Sequence, residues 1–272
     1  MLGLALLSLP TWANPPEALP RELAERVTLA HSLPIADRLE FHTRPWLGLP
    51  YTEGPLGEGE GYDPDPLVRY DTFDCLTLVE EALALSMADS PEEVNRIRMG
   101  LRYRHGGPVT YENRRHFMLA EWIPGNVDEG WLQDLTPGLA GAVQFSREVS
   151  LSVWNSWRRR SLFPFPDERL PTGLQSFWYL PLEAALASIN EIPAGSVIFT
   201  LRQPLAHLPI SITHVGLTIP GEQATMRHAT KMGEGLVRDD SLRWYLEHLQ
   251  TYTNWPVAGI IVLSPIEGGQ NR

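Results

Sequence analysis

The residue best suited to nucleophilic chemistry is Cys75, the only cysteine of this 272-residue chain. Residue types that cap helices precede it and apolar residues at helical spacing follow it, which predicts a helix over residues 71–87. Free N–H groups and the helix dipole would then favour a thiolate on Cys75, and its own N–H could meet an oxyanion. The alternative is an inert, buried apolar side chain. With one cysteine, an intramolecular disulfide is excluded.

Two histidines are placed to act as a base and its orienting partner. His214 lies in an alternating segment that predicts a strand over residues 213–219, and His228 lies in a second predicted strand, 223–230. The two positions are symmetric about Gly221, so a hairpin with an odd-numbered loop would place them directly opposite each other on one face. A one-residue shift would separate them. Gly216 leaves open space beside His214.

The elements that must position these side chains indicate an α+β domain. Helical patterns dominate the first half of the chain, and the strand patterns lie late. The predicted strands cover residues 196–201, 213–219, 223–230 and 258–263. A single catalytic domain is expected over residues 14–272, with an aromatic and proline-rich insertion of weak periodicity around 139–190.

Composition narrows the classes of partner. The chain is 43% hydrophobic and 20% charged, which is typical of a globular protein. Its net charge of −11 argues against nucleic acid as a partner, because phosphate binding needs clustered lysine and arginine. The one basic cluster, residues 158–160, is interpreted as a solvated surface segment.

The first 13 residues have the character of a signal peptide. Their apolar run is too short to cross a bilayer, and Thr11 and Ala13 fit the small residues of a cleavage site. The usual basic segment is missing, which leaves open a start further upstream or a buried N-terminal segment. We expect a secreted or periplasmic protein, with no integral membrane segment in the mature chain.

Four short motifs together resemble the NlpC-type, papain-like cysteine peptidases of bacterial cell walls. They are Gly48-Leu49-Pro50-Tyr51, Asp74-Cys75, His214-Val215-Gly216 and His228-Ala229-Thr230. Residues 74–80 and 113–123 are similar to one branch of that superfamily, the N-acetylmuramoyl-L-alanine amidase-like proteins of domain-of-unknown-function family 1460.

The resemblance implies a papain-like fold in which the helix bearing Cys75 packs on an antiparallel sheet bearing the histidines. It implies a Cys-His-His mechanism with Cys75, His214 and His228, and a place for Tyr51 near the oxyanion or substrate. The implied reaction is hydrolysis of the N-acetylmuramoyl-L-alanine bond in muropeptides or peptidoglycan, and the implied partners are peptidoglycan fragments, the muramyl peptides. No metal or cofactor is expected.

A substrate-binding wall is expected from the second family-like segment. Arg114 could bind a substrate carboxylate in a fork geometry, with a surface salt bridge as the alternative. His116 is a second candidate for substrate binding, and its alternative is a hydrogen bond inside the core. Trp122 is expected to stack on a sugar in the same open cleft.

Three other functions stay open. A γ-D-glutamyl-diamino-acid endopeptidase would use the same triad on a different bond. A metal hydrolase using His116, His214 and His228 with Cys75 is disfavoured, because the chain has neither His-Glu-x-x-His nor paired cysteines. The third is a non-catalytic peptidoglycan-binding module.

Overall fold

The computed structural model describes residues 19–267. Its helices are α1 (Arg21–Ala30), α2 (Ile35–Thr43), α3 (Cys75–Met87), α4 (Glu93–Arg102), α5 (Ile123–Asp128), α6 (Leu151–Ser156), α7 (Leu182–Ala187) and α8 (Leu242–Leu249). Its strands are β1 (Leu132–Asp134), β2 (Val143–Val149), β3 (Gly173–Pro181), β4 (Val197–Arg202), β5 (Ile212–Ile219), β6 (Thr225–Ala229), β7 (Val237–Ser241) and β8 (Val257–Pro265). Residues 1–13 lie outside this range, so the signal peptide stays a prediction.

Helix α3 begins at Cys75 because Asp74 caps it. The Asp74 carboxylate accepts hydrogen bonds from the N–H groups of Leu76 (3.0 Å) and Thr77 (2.8 Å), and the Thr77 hydroxyl accepts one from the Asp74 N–H (2.9 Å). The predicted start at residue 71 is wrong, because the chain before Asp74 is extended and Phe73 bridges to Tyr51.

The strands form one antiparallel sheet in the order β2-β3-β8-β4-β5-β6-β7, with β1 also paired to β8. The four predicted strands correspond to β4, β5, β6 and β8. Side chains alternate along the central strand β4, with Val197 and Phe199 in the core under α3 and Ile198 in the core under α7 and α8. Helices therefore cover both faces of the sheet, and the predicted α+β class is confirmed.

Residues 139–190 are more regular than their sequence pattern suggests. They contain the pair β2 and β3, and the end of β3 joins the main sheet where Leu180 pairs with Ile260. A separate aromatic core, which includes Phe117, Trp154 and Phe165, fixes the remaining turns. The periodicity is weak because the elements are short and the packing is aromatic.

None of the helices between residues 19 and 267 has the length and hydropathy needed to cross a bilayer.

Candidate active site

Cys75, His214 and Tyr51 all line one cavity of about 410 Å³. Tyr51 reaches this cavity although it is far from Cys75 in sequence. Its N–H donates to the carbonyl of Gly235 (2.7 Å), and its backbone bridges to Phe73, two residues before Cys75. The cavity therefore brings together three of the six predicted site residues, with His228 directly behind His214.

The two histidines lie on one face of the sheet, but they are diagonal neighbours. In the β5–β6 register Leu217 pairs with Arg227, and one further step places His228 opposite Gly216. A Cβ on Gly216 would lie 2.9 Å from the Cβ of His228, so this close approach needs glycine. The predicted direct opposition is wrong by two residues, and an even shift keeps both rings on the same side.

A chain of hydrogen bonds fixes which ring nitrogens carry protons. The Nε2 of His228 lies 3.0 Å from the Asp240 carboxylate, which can only accept, so this nitrogen is the donor. With the His228 proton on Nε2, its Nδ1 accepts from the Nε2–H of His214, at 2.7 Å. This leaves Nδ1 of His214 as an unprotonated acceptor, the form that a general base requires.

Asp240 is held ionised for this task. Burial acts to raise the pKa of the Asp240 carboxyl, but hydrogen bonds from His228 and Arg238 outweigh it and lower that pKa. The Nε of Arg238 donates to the other carboxylate oxygen at 3.0 Å. Asp240 is 6% exposed, so few other groups compete for it.

His214 is neutral at physiological pH. Burial, aided by neighbouring His228, lowers its pKa to about 3. The ring also lies against Tyr245, whose hydroxyl hydrogen-bonds the Thr200 hydroxyl (2.6 Å) and whose ring packs edge-on against His228. Packing against Tyr245 therefore fixes the orientation of both imidazoles, and the hydrogen bonds fix their tautomers.

The expected thiolate on Cys75 is wrong for the free protein. Burial and the adjacent Asp74 carboxylate raise the pKa of the Cys75 thiol to about 12, and backbone N–H groups of Val215 and Leu76 offset only part of this. The same cap that starts the helix explains the result. Asp74 takes the N–H groups of Leu76 and Thr77 and adds a negative charge beside the sulfur.

The comparison with known proteins gives a family. The family model for AmiA-like proteins, described as N-acetylmuramoyl-L-alanine amidase-like, matches residues 42–252. This chain belongs to the AmiA-like family. The match spans the whole segment from before Tyr51 to beyond Tyr245, so it covers every residue of the site described above.

Solved structures share the fold of this AmiA-like protein. A Legionella pneumophila protein of the DUF1460 family is 24% identical, with 90% of this chain and 93% of that chain covered and a TM-score of 0.76. An N-acetylmuramoyl-L-alanine amidase from Bacteroides uniformis is 23% identical, with 85% and 99% covered and a TM-score of 0.68. Among curated proteins, none matches this chain.

Two predicted substrate-binding residues of the AmiA-like chain lie outside the cavity. Arg114 forms ion pairs with Glu58 (3.1 Å) and Asp63, and its guanidinium donates to the carbonyl of Leu56 (2.7 Å). His116 donates from Nε2 to the carbonyl of Tyr111 (2.6 Å), and burial lowers its pKa to about 3. Both contacts correspond to the structural alternatives raised from the sequence.

The expectation that Trp122 stacks on a sugar is wrong, because this side chain is 0% exposed. Its indole N–H donates to the carboxylate of Glu80 (2.9 Å), which also binds Arg102 (2.8 Å). The two family-like segments, residues 74–80 and 113–123, therefore contact each other inside the fold.

Sequence reasoning missed Asp240, Tyr245 and Thr200. Asp240 follows Arg238 and Asp239 in a charged run that is typical of solvated surface. No pattern in this run predicts a buried strand. Alternation places positions 238 and 240 on one face and 239 on the other, but it does not show which face is buried. Within residues 19–267, no group of three or more His, Cys, Asp and Glu side chains is placed to hold a metal ion.

Proposed function

We propose that this protein is a cysteine amidase that hydrolyses the N-acetylmuramoyl-L-alanine bond of muramyl peptides, with Cys75 as nucleophile and His214 as base. One observation carries the proposal. His214, held by His228 and Asp240 with Nδ1 as an acceptor, lines the same cavity as Cys75, the first residue of helix α3.

The pKa directions call for proton transfer during the attack rather than before it. His214 Nδ1 takes the thiol proton as the Cys75 sulfur bonds to the carbonyl carbon. The Cys75 N–H, which Asp74 does not engage, and the Tyr51 hydroxyl donate to the oxyanion. The imidazolium then protonates the departing amine, the C–N bond breaks and a thioester remains.

Water completes the cycle through the same groups. His214 Nδ1 takes a proton from water as its oxygen attacks the thioester, and the sulfur leaves to recover that proton. The free acid is released. His228 keeps its Nε2 proton and Asp240 stays ionised throughout. The two residues act by holding the His214 tautomer and stabilising its cationic form.

Support for the substrate comes from the family and its structural relatives. The AmiA-like model is described as amidase-like, and the Bacteroides uniformis relatives are N-acetylmuramoyl-L-alanine amidases. In that reaction the acyl side is the lactyl group of the sugar and the leaving group is a peptide with an L-alanine amino terminus.

Mass spectrometry of the products from defined muropeptides tests this assignment. We expect a free sugar acid and a peptide that begins with L-alanine, and no cleavage of sugar-free stem peptides. Cys75→Ser should remove turnover without changing the melting temperature, because a hydroxyl is a far weaker nucleophile of similar volume.

Release of L-Ala-D-Glu still attached to the sugar would instead show the endopeptidase reaction. Wild-type turnover by Cys75→Ser would refute the nucleophile assignment.

We also propose that the protein works outside the cytoplasm, where the peptidoglycan that contains these muramyl peptides lies. The apolar character of residues 1–13 supports this. Cell fractionation with detection of the mature chain tests it, and recovery in the cytoplasmic fraction alone would refute it.

A further inference from the structure

The basic run of residues 158–160 is divided by its contacts. Arg160 is a structural residue, because its guanidinium donates to the carbonyls of Phe163 and Phe165, the latter at 2.6 Å. Arg158 and Arg159 are exposed, and within the described part of the chain neither forms an ion pair or a side-chain hydrogen bond. Two adjacent arginines therefore keep all their donors available.

These two arginines line a cavity of about 660 Å³ together with Trp157 and His207. Arg159 also lines the cavity that holds Cys75 and His214. The two cavities consequently meet at Arg159, and a ligand whose reactive bond lies at Cys75 can extend past this side chain.

Contacts within the protein hold the walls of the larger cavity in place before a ligand binds. Arg147 donates to the carbonyls of Leu208 (3.1 Å) and Pro209 (2.7 Å), which anchors the loop bearing His207. On the other side the ring of Trp157 stacks on Phe163, with centroids 5.8 Å apart. A cavity with anchored walls loses little conformational entropy when a ligand binds.

The charge around the reactive cavity is opposite to that of the whole chain. The protein has a net charge of −11, yet Arg159, Arg202 and Lys231 line the Cys75 cavity with a single carboxylate, Glu53. Glu53 is bound by the Lys231 ammonium at 2.7 Å. An excess of positive charge in this cleft favours an anionic ligand.

We propose that Arg158 and Arg159 form a subsite for a carboxylate on the peptide side of the scissile bond. Guanidinium groups bind carboxylates through paired N–H donors, which suits this chemistry better than recognition of a neutral sugar. The inference rests on the proposed function, since it takes the peptide to be the leaving group. The lactyl carboxyl of the sugar is consumed in the amide, so the free carboxylates lie on the peptide.

Binding is measured by calorimetry on the full-length Cys75→Ser variant, which cannot turn the probes over. The probes are N-acetylmuramoyl-L-alanyl-D-glutamate and the same compound with both glutamate carboxylates converted to amides. We expect the acid to bind at least about tenfold more tightly than the diamide. Adding Arg159→Gln or Arg158→Gln should remove most of this preference, whereas Arg243→Gln, an exposed arginine on α8, should keep it.

Equal affinity for acid and diamide, or an Arg159→Gln variant that weakens both alike, would overturn the subsite. Turnover with the wild-type chain separates this result from the proposed reaction. Hydrolysis of both probes without a carboxylate preference leaves the amidase standing and removes the subsite. A preference for the acid that depends on Arg159, with no hydrolysis by the wild type, leaves the subsite standing and removes the amidase.

Discussion

Helix α3 takes part in two buried polar networks of different character. Towards its middle, Glu80 and Glu81 pair with two arginines of α4: Arg98 to Glu81 at 2.8 Å, and Arg102 to Glu80 at 2.8 Å and to Glu81 at 3.0 Å. The first residue of α3, Cys75, lines the cavity where the hydrogen-bonded series Asp240–His228–His214 ends.

The two networks differ in whether a polar atom is left over. In the glutamate–arginine network each charge has an opposite charge beside it, and all four side chains are nearly or fully buried. In the histidine chain the last acceptor, Nδ1 of His214, has no hydrogen-bond partner among residues 19–267. A closed network resists change, whereas an open end in a cavity is a site for proton transfer.

Reversing the tautomers of the two histidines should disrupt the Asp240–His228–His214 network most directly, and we expect it to give the largest loss of kcat. In Asp240→Asn the side-chain amide can donate to His228 Nε2, which moves a proton onto His214 Nδ1 and blocks the base. We expect kcat to fall by about 10³- to 10⁴-fold with the fold intact, as assayed by muropeptide hydrolysis and circular dichroism.

Asp239→Asn is the matched control on the same strand. Asp239 pairs with Arg227 (2.7 Å) on the opposite face, so this change can affect stability but not the tautomers. Equal losses of kcat in both variants would show that charge on β7, rather than proton placement, matters. An Asp240→Asn enzyme with wild-type kcat would remove Asp240 from the site.

Opening the closed network should instead lower stability without changing chemistry. Glu81→Gln leaves Arg98 buried without a carboxylate, so we expect the free energy of unfolding to fall by about 3 kcal/mol in urea denaturation. Glu93→Gln, which breaks the partly exposed pair with Arg96 (3.4 Å), should cost less than about 1 kcal/mol. A large loss of kcat in folded Glu81→Gln would contradict the separation of the two networks.

The sequence was informative where local pattern decides structure. Helical spacing after a capping residue located Cys75 at a helix start, and alternation located the strands of His214 and His228. The hairpin centre was misplaced because residues 220–224 form a longer loop than the turn at Pro220-Gly221 suggests. Asp240 could not be assigned, because its contact with His228 depends on how β7 pairs with β6 across an unpatterned loop.

The burial of single side chains was also beyond local pattern. Trp122 and Arg114 have residue types that suit a binding cleft, and only the packing of distant segments shows them engaged by Glu80 and Glu58. The reverse holds for Arg159. Its sequence context resembles ordinary surface, and the fold places it between two cavities.

The smallest predicted effect concerns the protonation state of the Cys75 thiol in the free protein. This state decides whether attack must be coupled to proton transfer to His214. A pKa of about 12 for the thiol and of about 3 for His214 means that both groups are neutral at pH 7. Alkylation by a small reagent such as iodoacetamide should then be slow at pH 7 and keep rising up to at least pH 10. A preformed thiolate–imidazolium pair would instead react at a nearly constant rate across this range.

Asp74→Asn isolates the cause of that high thiol pKa, because asparagine caps a helix about as well as aspartate while carrying no charge. Removal of the negative charge beside Cys75 stabilises the thiolate, so the thiol pKa should fall and alkylation at pH 8 should become several-fold faster. Circular dichroism serves as the check that α3 still forms. If Asp74→Asn leaves the alkylation rate unchanged, burial alone sets the thiol pKa and the capping carboxylate has no part in it. If the wild-type rate is already constant from pH 5 to pH 9, Cys75 is a thiolate at rest, and attack would not need to be coupled to proton transfer to His214.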